Sequence, residues 1–321
     1  MIVIGLSAVV LALREAQGCV LTVRPHDAAT GRASTEAGLP FGPFDPIGHR
    51  TFELALREFV SRQTRFDLGY VEQLYTFGDL GRDAPLADVG AGGARVISVG
   101  YLALAPGPVD TRAPETAWSS WSRFFPWEDW RNGRPEALSE VIWPAPKHWA
   151  ARSTARRTRA ALLFAADGER WNEERVLERY ELLFEAGLVP EAARDRGDVG
   201  GAPEPAFGEP MISDHRRILA TALGRLRGKL KYRPIAFELV GDAFTLSALQ
   251  RAVEAVAGVA LHKQNFRRAV ERSGLVEGLR RIDPGTGGRP AELFRFRRER
   301  LAAKAMGGLA LPLLRDAAET V

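Results

Sequence analysis

The sequence predicts an α+β fold in three stretches. Three observations predict it. Residues 1–150 are rich in strand patterns around one clear amphipathic helix, which reads as a mixed sheet with helices. Residues 151–193 are helical by spacing and run into RDRGDVGGAPEPAFGEP, a linker dense in Gly, Pro and charge. Residues 211–321 read helix, helix, short turn, helix, then a two-stranded ribbon. The 321 residues suit about two domains. The expected division is 1–150, a connecting segment over 151–210, and 211–321, with the boundary near 195–210.

In the first stretch IVIGLSAVVLAL and CVLTVRP pair as strands around the turn REAQG. The apolar start has no basic region before it and is too short to span a bilayer, so it reads as a core strand. HRTFELALREFVSRQTRF, residues 49–66, is the amphipathic helix. YVEQLYTF and RVISVGYLALA are further strands joined by a Gly- and Asp-rich loop. All seven Trp residues lie between 118 and 171, as core or interface filler with one or two free to stack on a planar ring.

In the second stretch Val176, Leu177, Tyr180, Leu183 and Phe184 share a helix face, and Gly187 ends it. In the third, Ser213-Asp214 precedes a helix with Ile218, Ala222, Leu226 and Leu230 at helical spacing. Thr245 caps a second helix and Gly258 ends it. HKQNFRRAVERSG is a third helix, followed by two strands around a Gly-Pro tip. That order is the order of a winged helix-turn-helix.

Charge is partitioned along the chain. Residues 211–321 hold 21 Lys+Arg against 11 Asp+Glu, a balance of +10, whereas residues 1–210 balance at −6. A basic back half is what a polyanion-binding domain needs, although a solvated basic surface gives the same balance. One cysteine, Cys19, excludes an internal disulfide framework and points to a reduced, cytoplasmic setting without membrane attachment.

The third helix carries Lys263, Gln264, Asn265, Arg267 and Arg268 on its first turns. Such amide and guanidinium groups read base edges in a major groove or clamp phosphates. Phe266, Ala269 and Val270 lie on the other side, facing Leu249 and Val253. The ribbon tip brings Arg289 toward a minor groove, while Phe294 and Phe296 face inward and Arg295 and Arg297 outward. The expected partner is a double-stranded DNA operator, read by a homodimer.

The helix at 49–66 poses the other question. A Nudix box reads G-x5-E-x7-REUxEExGU, where U is a large aliphatic residue. Its clustered carboxylates share one helix face and hold Mg²⁺. GLPFGPFDPIGHRTFELALREFVSRQTRF resembles that box: Arg57-Glu58 matches RE, with Phe59 at the aliphatic position. Ser61 and Arg62 replace the paired acids, Thr64 replaces Gly, and His49 stands at the earlier Glu. One carboxylate cannot assemble a multi-Mg²⁺ site, so no metal and no catalytic residue is assigned. Two readings of Arg62 stay open: a phosphate ligand, or the ordinary ion-pair partner of Glu58.

YVEQLYTFGDLGRD followed by RVISVGYLAL resembles the strand-loop-strand of ADP-ribose-recognising Nudix proteins, and FFPWEDW resembles their later Trp-Phe-Pro loop. DHRRILATALGRLRGKLKYRPIAFELVGDAFTLSALQ, HKQNFRRAVERSGLVEG and GGRPAELFRFR resemble the winged-helix domain of Nudix-related transcriptional regulators of NAD metabolism. Within that group the degenerate box and the 151–193 segment are most similar to the NadQ type, rather than the shorter NrtR type. The resemblance covers roughly two-thirds of the chain.

What it implies is an N-terminal Nudix-like domain, a helical connecting segment and a C-terminal winged helix. The function implied is a repressor of NAD metabolism genes that needs no cofactor and senses an adenine nucleotide (NAD, ADP-ribose or ATP). Arg57, Glu58, Arg62, Tyr75, Arg82 and Trp127 are the candidate nucleotide ligands. Lys263, Gln264, Asn265, Arg267, Arg268 and Arg289 are the candidate DNA contacts. Two other functions compete: a divergent ADP-ribose pyrophosphatase using Glu58 with Glu72 or Asp79, and a scaffold with neither DNA nor turnover.

Overall fold

A computed structural model describes residues 2–25, 31, 33–65, 67–78, 95–107, 111, 113, 115–197, 204–283 and 290–303. The strands of the first half are β1 (Ile2–Arg14), β2 (Gln17–Val23), β3 (Phe41–Pro43), β4 (Tyr70–Phe77), β5 (Arg95–Leu104) and β6 (Thr116–Ser120). They form one mixed sheet in the order β4-β5-β1-β2-β6, with β3 also paired to β1. β1 runs parallel to β5 from Ile2↔Arg95 to Leu11↔Leu104, and antiparallel to β2. The β1–β2 hairpin turns through Glu15 and Ala16, both at positive φ (48° and 64°), the twist a two-residue hairpin loop requires.

Alternation along β1 builds two cores, because side chains of period two leave opposite faces. Leu6, Ala8, Val10 and Ala12 meet Leu56, Phe59 and Val60 of α1 (Phe52–Thr64). Val9 and Leu11 belong instead to the core that holds Ile218, Leu219, Leu223 and Leu226 of α6 (His215–Leu230). The sheet is thus covered by a helix on each side. Thr51 caps α1 by accepting from the Leu54 amide, and Arg65 ends it in the left-handed region.

The connecting segment supplies α2 (Pro144–Trp149), α3 (Thr154–Leu163), α4 (Val176–Glu185) and α5 (Pro190–Asp195). Val176, Tyr180 and Leu183 are buried as the spacing requires, and Gly187 follows α4 at positive φ. The last third contains α7 (Leu246–Ala257), α8 (Lys263–Ser273), β7 (Val276–Asp283), β8 (Ala291–Phe296) and α9 (Arg298–Ala303). The expected winged-helix order is present. Thr245 caps α7, and Gly258 ends it in the left-handed conformation. Asp214 stands at the N-cap position of α6 but makes no side-chain capping bond.

Phe266 and Val270 bury the inner face of α8 in the same core as Leu249 and Val253. The ribbon is held down by Phe296, stacked on Phe237 at 4.2 Å, and by paired backbone hydrogen bonds between Phe244 and Phe294. One hydrophobic core runs without a break from the sheet through α4 and α6 to α7 and α8. Among the described residues no helix is long and apolar enough to cross a membrane.

Candidate functional site

Three places carry chemistry: the outer face of α1, a cavity at the β2–β6 edge, and the exposed face of α8. On α1 the degenerate box is occupied by its own ion pairs. Arg57 bonds Glu53 one turn back (Nε to Oε1, 3.0 Å) and donates to the carbonyls of Leu68 and Gly69, the latter at 3.1 Å. Its guanidinium therefore ties the middle of α1 to the residues just before β4.

Glu58 is 59% exposed and lies 3.4 Å from His49 Nε2 and 3.7 Å from Arg62 Nη1. Arg62, 68% exposed, is the ion-pair partner of Glu58 at i,i+4. Among the described residues no group of three or more His, Cys, Asp or Glu side chains is placed to hold a metal ion. The Mg²⁺ that a complete box would bind does not fit this donor set: a single carboxylate sits between an imidazole and a guanidinium. Glu72, the acid a hydrolytic reading borrows from outside the box, is also taken. It lies 2.5 Å from Lys229 of α6 and accepts from the Tyr70 hydroxyl. Burial would raise its carboxyl, but the Lys229 and Tyr70 bonds outweigh that and hold it below the usual carboxylate value.

Tyr75 is 61% exposed, with its ring edge-on to Phe77 at 5.2 Å, so one face is free to stack. Trp127 is not: it is 0% exposed, enclosed by Phe125 and the Arg216 guanidinium, and the expectation that it stacks on a base is corrected. A Trp in the run FFPWEDW is too greasy and too central for the surface. Nothing brings Tyr75 or Trp127 against Glu58 or Arg62 among the described residues. Arg82 and Asp79 lie outside the described residues, as does Arg289.

A cavity of about 340 Å³ opens at the far edge of the sheet. Thr22, Thr116 and Ser119 supply hydroxyls, Arg24 and Arg123 guanidiniums, and Glu36, Glu115 and Glu209 carboxylates. Arg123 is gripped by Glu209 in a two-pronged bond (2.9 and 2.8 Å) and Glu36 by Arg194 at 2.9 Å, so the walls are fixed. The spacing of motifs could not reveal this cavity, since its walls come from segments more than a hundred residues apart. Its one legible signal was the Arg24 that ends CVLTVR.

Phe124 also lines the cavity, and its carbonyl accepts two bonds from Arg216 of α6 (3.0 and 2.6 Å). Arg216 is itself paired with Glu191 at 3.2 Å, both buried. Four residues further, Glu128 is sealed between Arg179 of α4 and Arg227 of α6. Arg227 also donates to the Val256 carbonyl at the end of α7 (2.8 Å), and Trp130 N–H donates to the Gly258 carbonyl at 2.6 Å. Gly258 has no alternative, because a Cβ there would sit 2.3 Å from the Glu128 carbonyl. The loop 123–130 thus touches the cavity at one end and the end of α7 at the other.

On α8, Lys263, Gln264, Arg267 and Arg268 are exposed and Asn265 is half-buried. The hydrophobic side is turned inward, so the five polar side chains share the outer surface. On β8 the alternation holds: Phe294 and Phe296 are half-buried, while Arg295 is exposed and paired to Glu277 of β7.

Residues 236–296 match the family model described as the NrtR DNA-binding winged helix domain. A stretch of 93 residues is 37% identical to an "ADPR responsive transcriptional repressor NtrR" from Acinetobacter baylyi, covering 29% of this chain and 37% of that relative. Among solved structures, Shewanella oneidensis NrtR complexed with a 27-mer DNA aligns over 92% of this chain and 93% of its own, with TM-score 0.55 and 19% identity. A MutT/nudix family protein from Enterococcus faecalis aligns over 92% and 87%, with TM-score 0.53 and 15% identity. These likenesses extend the fold over nearly the whole chain. Residues 236–296 are therefore a winged helix of the NrtR DNA-binding type, carried by a chain with the overall NrtR fold.

Proposed function

We propose that this chain is a DNA-binding transcriptional repressor of NAD metabolism genes, whose Nudix-like half binds an adenine nucleotide and does not hydrolyse it. The observation that carries the reading is the outer face of α8: amide and guanidinium side chains held outward by a buried Phe266 and Val270, within a segment of the NrtR DNA-binding type. Lys263, Gln264, Asn265, Arg267 and Arg268 are the proposed contacts, joined by Arg289 from the wing. The repressor acts in the cytoplasm as a homodimer on a near-palindromic operator. The DNA-reading unit is residues 211–321, and residues 1–150 with the connecting segment are the sensor.

For the effector we propose ADP-ribose, in keeping with the name of the Acinetobacter relative. Its seat is the cavity walled by Thr22, Arg24, Ser119 and Arg123 rather than the outer face of α1. The volume is in the range of small-ligand sites, the Arg24 guanidinium suits a diphosphate, and the carboxylates of Glu36 and Glu115 suit ribose hydroxyls. Tyr75 and Arg62 remain candidates for contacts outside the cavity. Loss of turnover suits a sensor, because an effector that is destroyed cannot report its own concentration. Coupling runs through differential affinity: a nucleotide that prefers one placement of loop 123–130 biases α6 and the entry to α8.

The test is calorimetric titration of ADP-ribose with Mg²⁺ present, followed by chemical assay of the recovered nucleotide. The expected result is saturable binding with the nucleotide intact, weakened at least about tenfold in Arg24→Ala. Turnover abolished by Glu58→Gln would contradict the reading.

A further inference from the structure

Residues 141–166 contain Lys147, Arg152, Arg156, Arg157 and Arg159 and not one Asp or Glu. All five are exposed, Lys147 on α2, Arg152 in the turn that follows and Arg156, Arg157 and Arg159 on α3, and His148 is exposed beside Lys147. Glu185 of α4 is the acid they meet among the described residues, 2.5 Å from Arg159 and 3.9 Å from Arg156. Arg156 lies flat over the Trp149 ring at 4.6 Å, and Arg157 donates to the Ala151 carbonyl at 3.0 Å. Three of the guanidiniums are thus held in place before any partner arrives.

This surface is fastened to the end of α7, the helix that leads into α8. Arg134 donates to the Ala165 carbonyl just past α3 (2.8 Å), and its guanidinium lies 5.6 Å over the Trp130 ring. Trp130 in turn donates to Gly258, five positions before the first residue of α8. We propose that the α2–α3 face is a second phosphate-binding surface, which grips the backbone of duplex DNA beside the stretch that α8 reads. The proposal rests on the reading that α8 contacts DNA.

A cluster of five cations met by one carboxylate, that of Glu185, leaves net positive charge for the evenly spaced phosphates of a duplex. A bilayer suits it less. The apolar side of α3, Ala160, Ala161 and Leu163, is buried in the protein, and the one large apolar side chain that α3 exposes, Leu162, is no apolar stripe to enter a headgroup layer.

The experiment uses the full chain, a random-sequence duplex of roughly 40 base pairs and fluorescence anisotropy across a salt series. Arg152→Glu with Arg157→Glu should weaken binding at least about tenfold and lower the slope of log affinity against log salt by about 0.9 for each phosphate no longer neutralised. Arg152→Lys with Arg157→Lys should stay within about twofold of wild type, since charge is kept. Wild-type affinity and slope in the charge-reversed variant, while Arg267→Ala with Arg268→Ala weakens binding, would overturn this proposal alone. Wild-type behaviour in both would overturn the assignment of α8 as well. Unchanged DNA affinity with lost binding to phosphatidylserine vesicles would assign the surface to a membrane instead.

Discussion

The Oε1 atom of Glu128 lies 2.5 Å from Nε of Arg179, and neither side chain reaches solvent. Arg227 completes the cluster on the other carboxylate oxygen. The three residues come from the Trp-rich loop, α4 and α6, so one carboxylate joins the sheet-side loop, the connecting segment and the helix that precedes the winged helix. Removing its charge leaves two buried guanidiniums uncompensated. Glu128→Gln should cost about 3–5 kcal/mol, read by urea unfolding of the full chain. A loss under about 1 kcal/mol would show that the cluster contributes little to stability.

The same cluster sets a pH dependence. Burial alone would raise the Glu128 carboxyl, but Arg179 and Arg227 outweigh it and hold the group below its ordinary 4.5. A carboxyl depressed in the folded state stabilises the fold above its unfolded value. That stability drains away as the pH falls below about 4.5 and through the folded value. Unfolding midpoints of wild type and Glu128→Gln should therefore differ most near neutrality and converge in acid. A gap that stays constant from neutrality down to acid would contradict the assignment.

The two arginines of the degenerate box should behave differently. Arg57 bridges the helix to the Leu68 and Gly69 carbonyls, so Arg57→Ala should cost about 1–2 kcal/mol of stability. Arg62 meets only an exposed Glu58, and Arg62→Ala should cost at most about 0.5 kcal/mol. Thermal denaturation of both variants checks the order; a larger effect for Arg62 would reverse it.

Helical and strand periodicity made much of this architecture legible. Odd and even residues of β1 separate into two cores, α6 buries Ile218, Ala222, Leu226 and Leu230, and α7 starts at Thr245 and stops at Gly258. These are local signals of spacing and capping. What stayed hidden depends on distant pairs. Glu128 sits 51 positions from Arg179 and 99 from Arg227, and no local pattern encodes such a match. Arg57 stood out because it matches the RE of the box, while two of its partners, the Leu68 and Gly69 carbonyls, lie past the end of the helix. Trp127 looked free to stack because a Trp is amphipathic, and the core took it.

On α8 the roles of the side chains should separate by experiment. Asn265 has no charge, so its value lies in base edges: Asn265→Ala should cost about 1–3 kcal/mol on the operator and little on random duplex. Arg289→Ala should weaken both and lower the salt slope by about one phosphate per protomer. Salt titrations on operator and scrambled duplexes distinguish them. If both variants match wild type on the operator, the helix and wing are misassigned.

In the proposed repressor, nucleotide and DNA are felt by one molecule through loop 123–130. Linkage makes this testable without knowing the direction of the response, because the factor by which ADP-ribose changes DNA affinity must equal the factor by which DNA changes ADP-ribose affinity. The measurement is duplex affinity with and without saturating ADP-ribose, paired with ADP-ribose affinity with and without saturating duplex. The account predicts a shared factor of about 5–150, reduced in Arg24→Ala. Both ligands binding with affinities that ignore each other would contradict it.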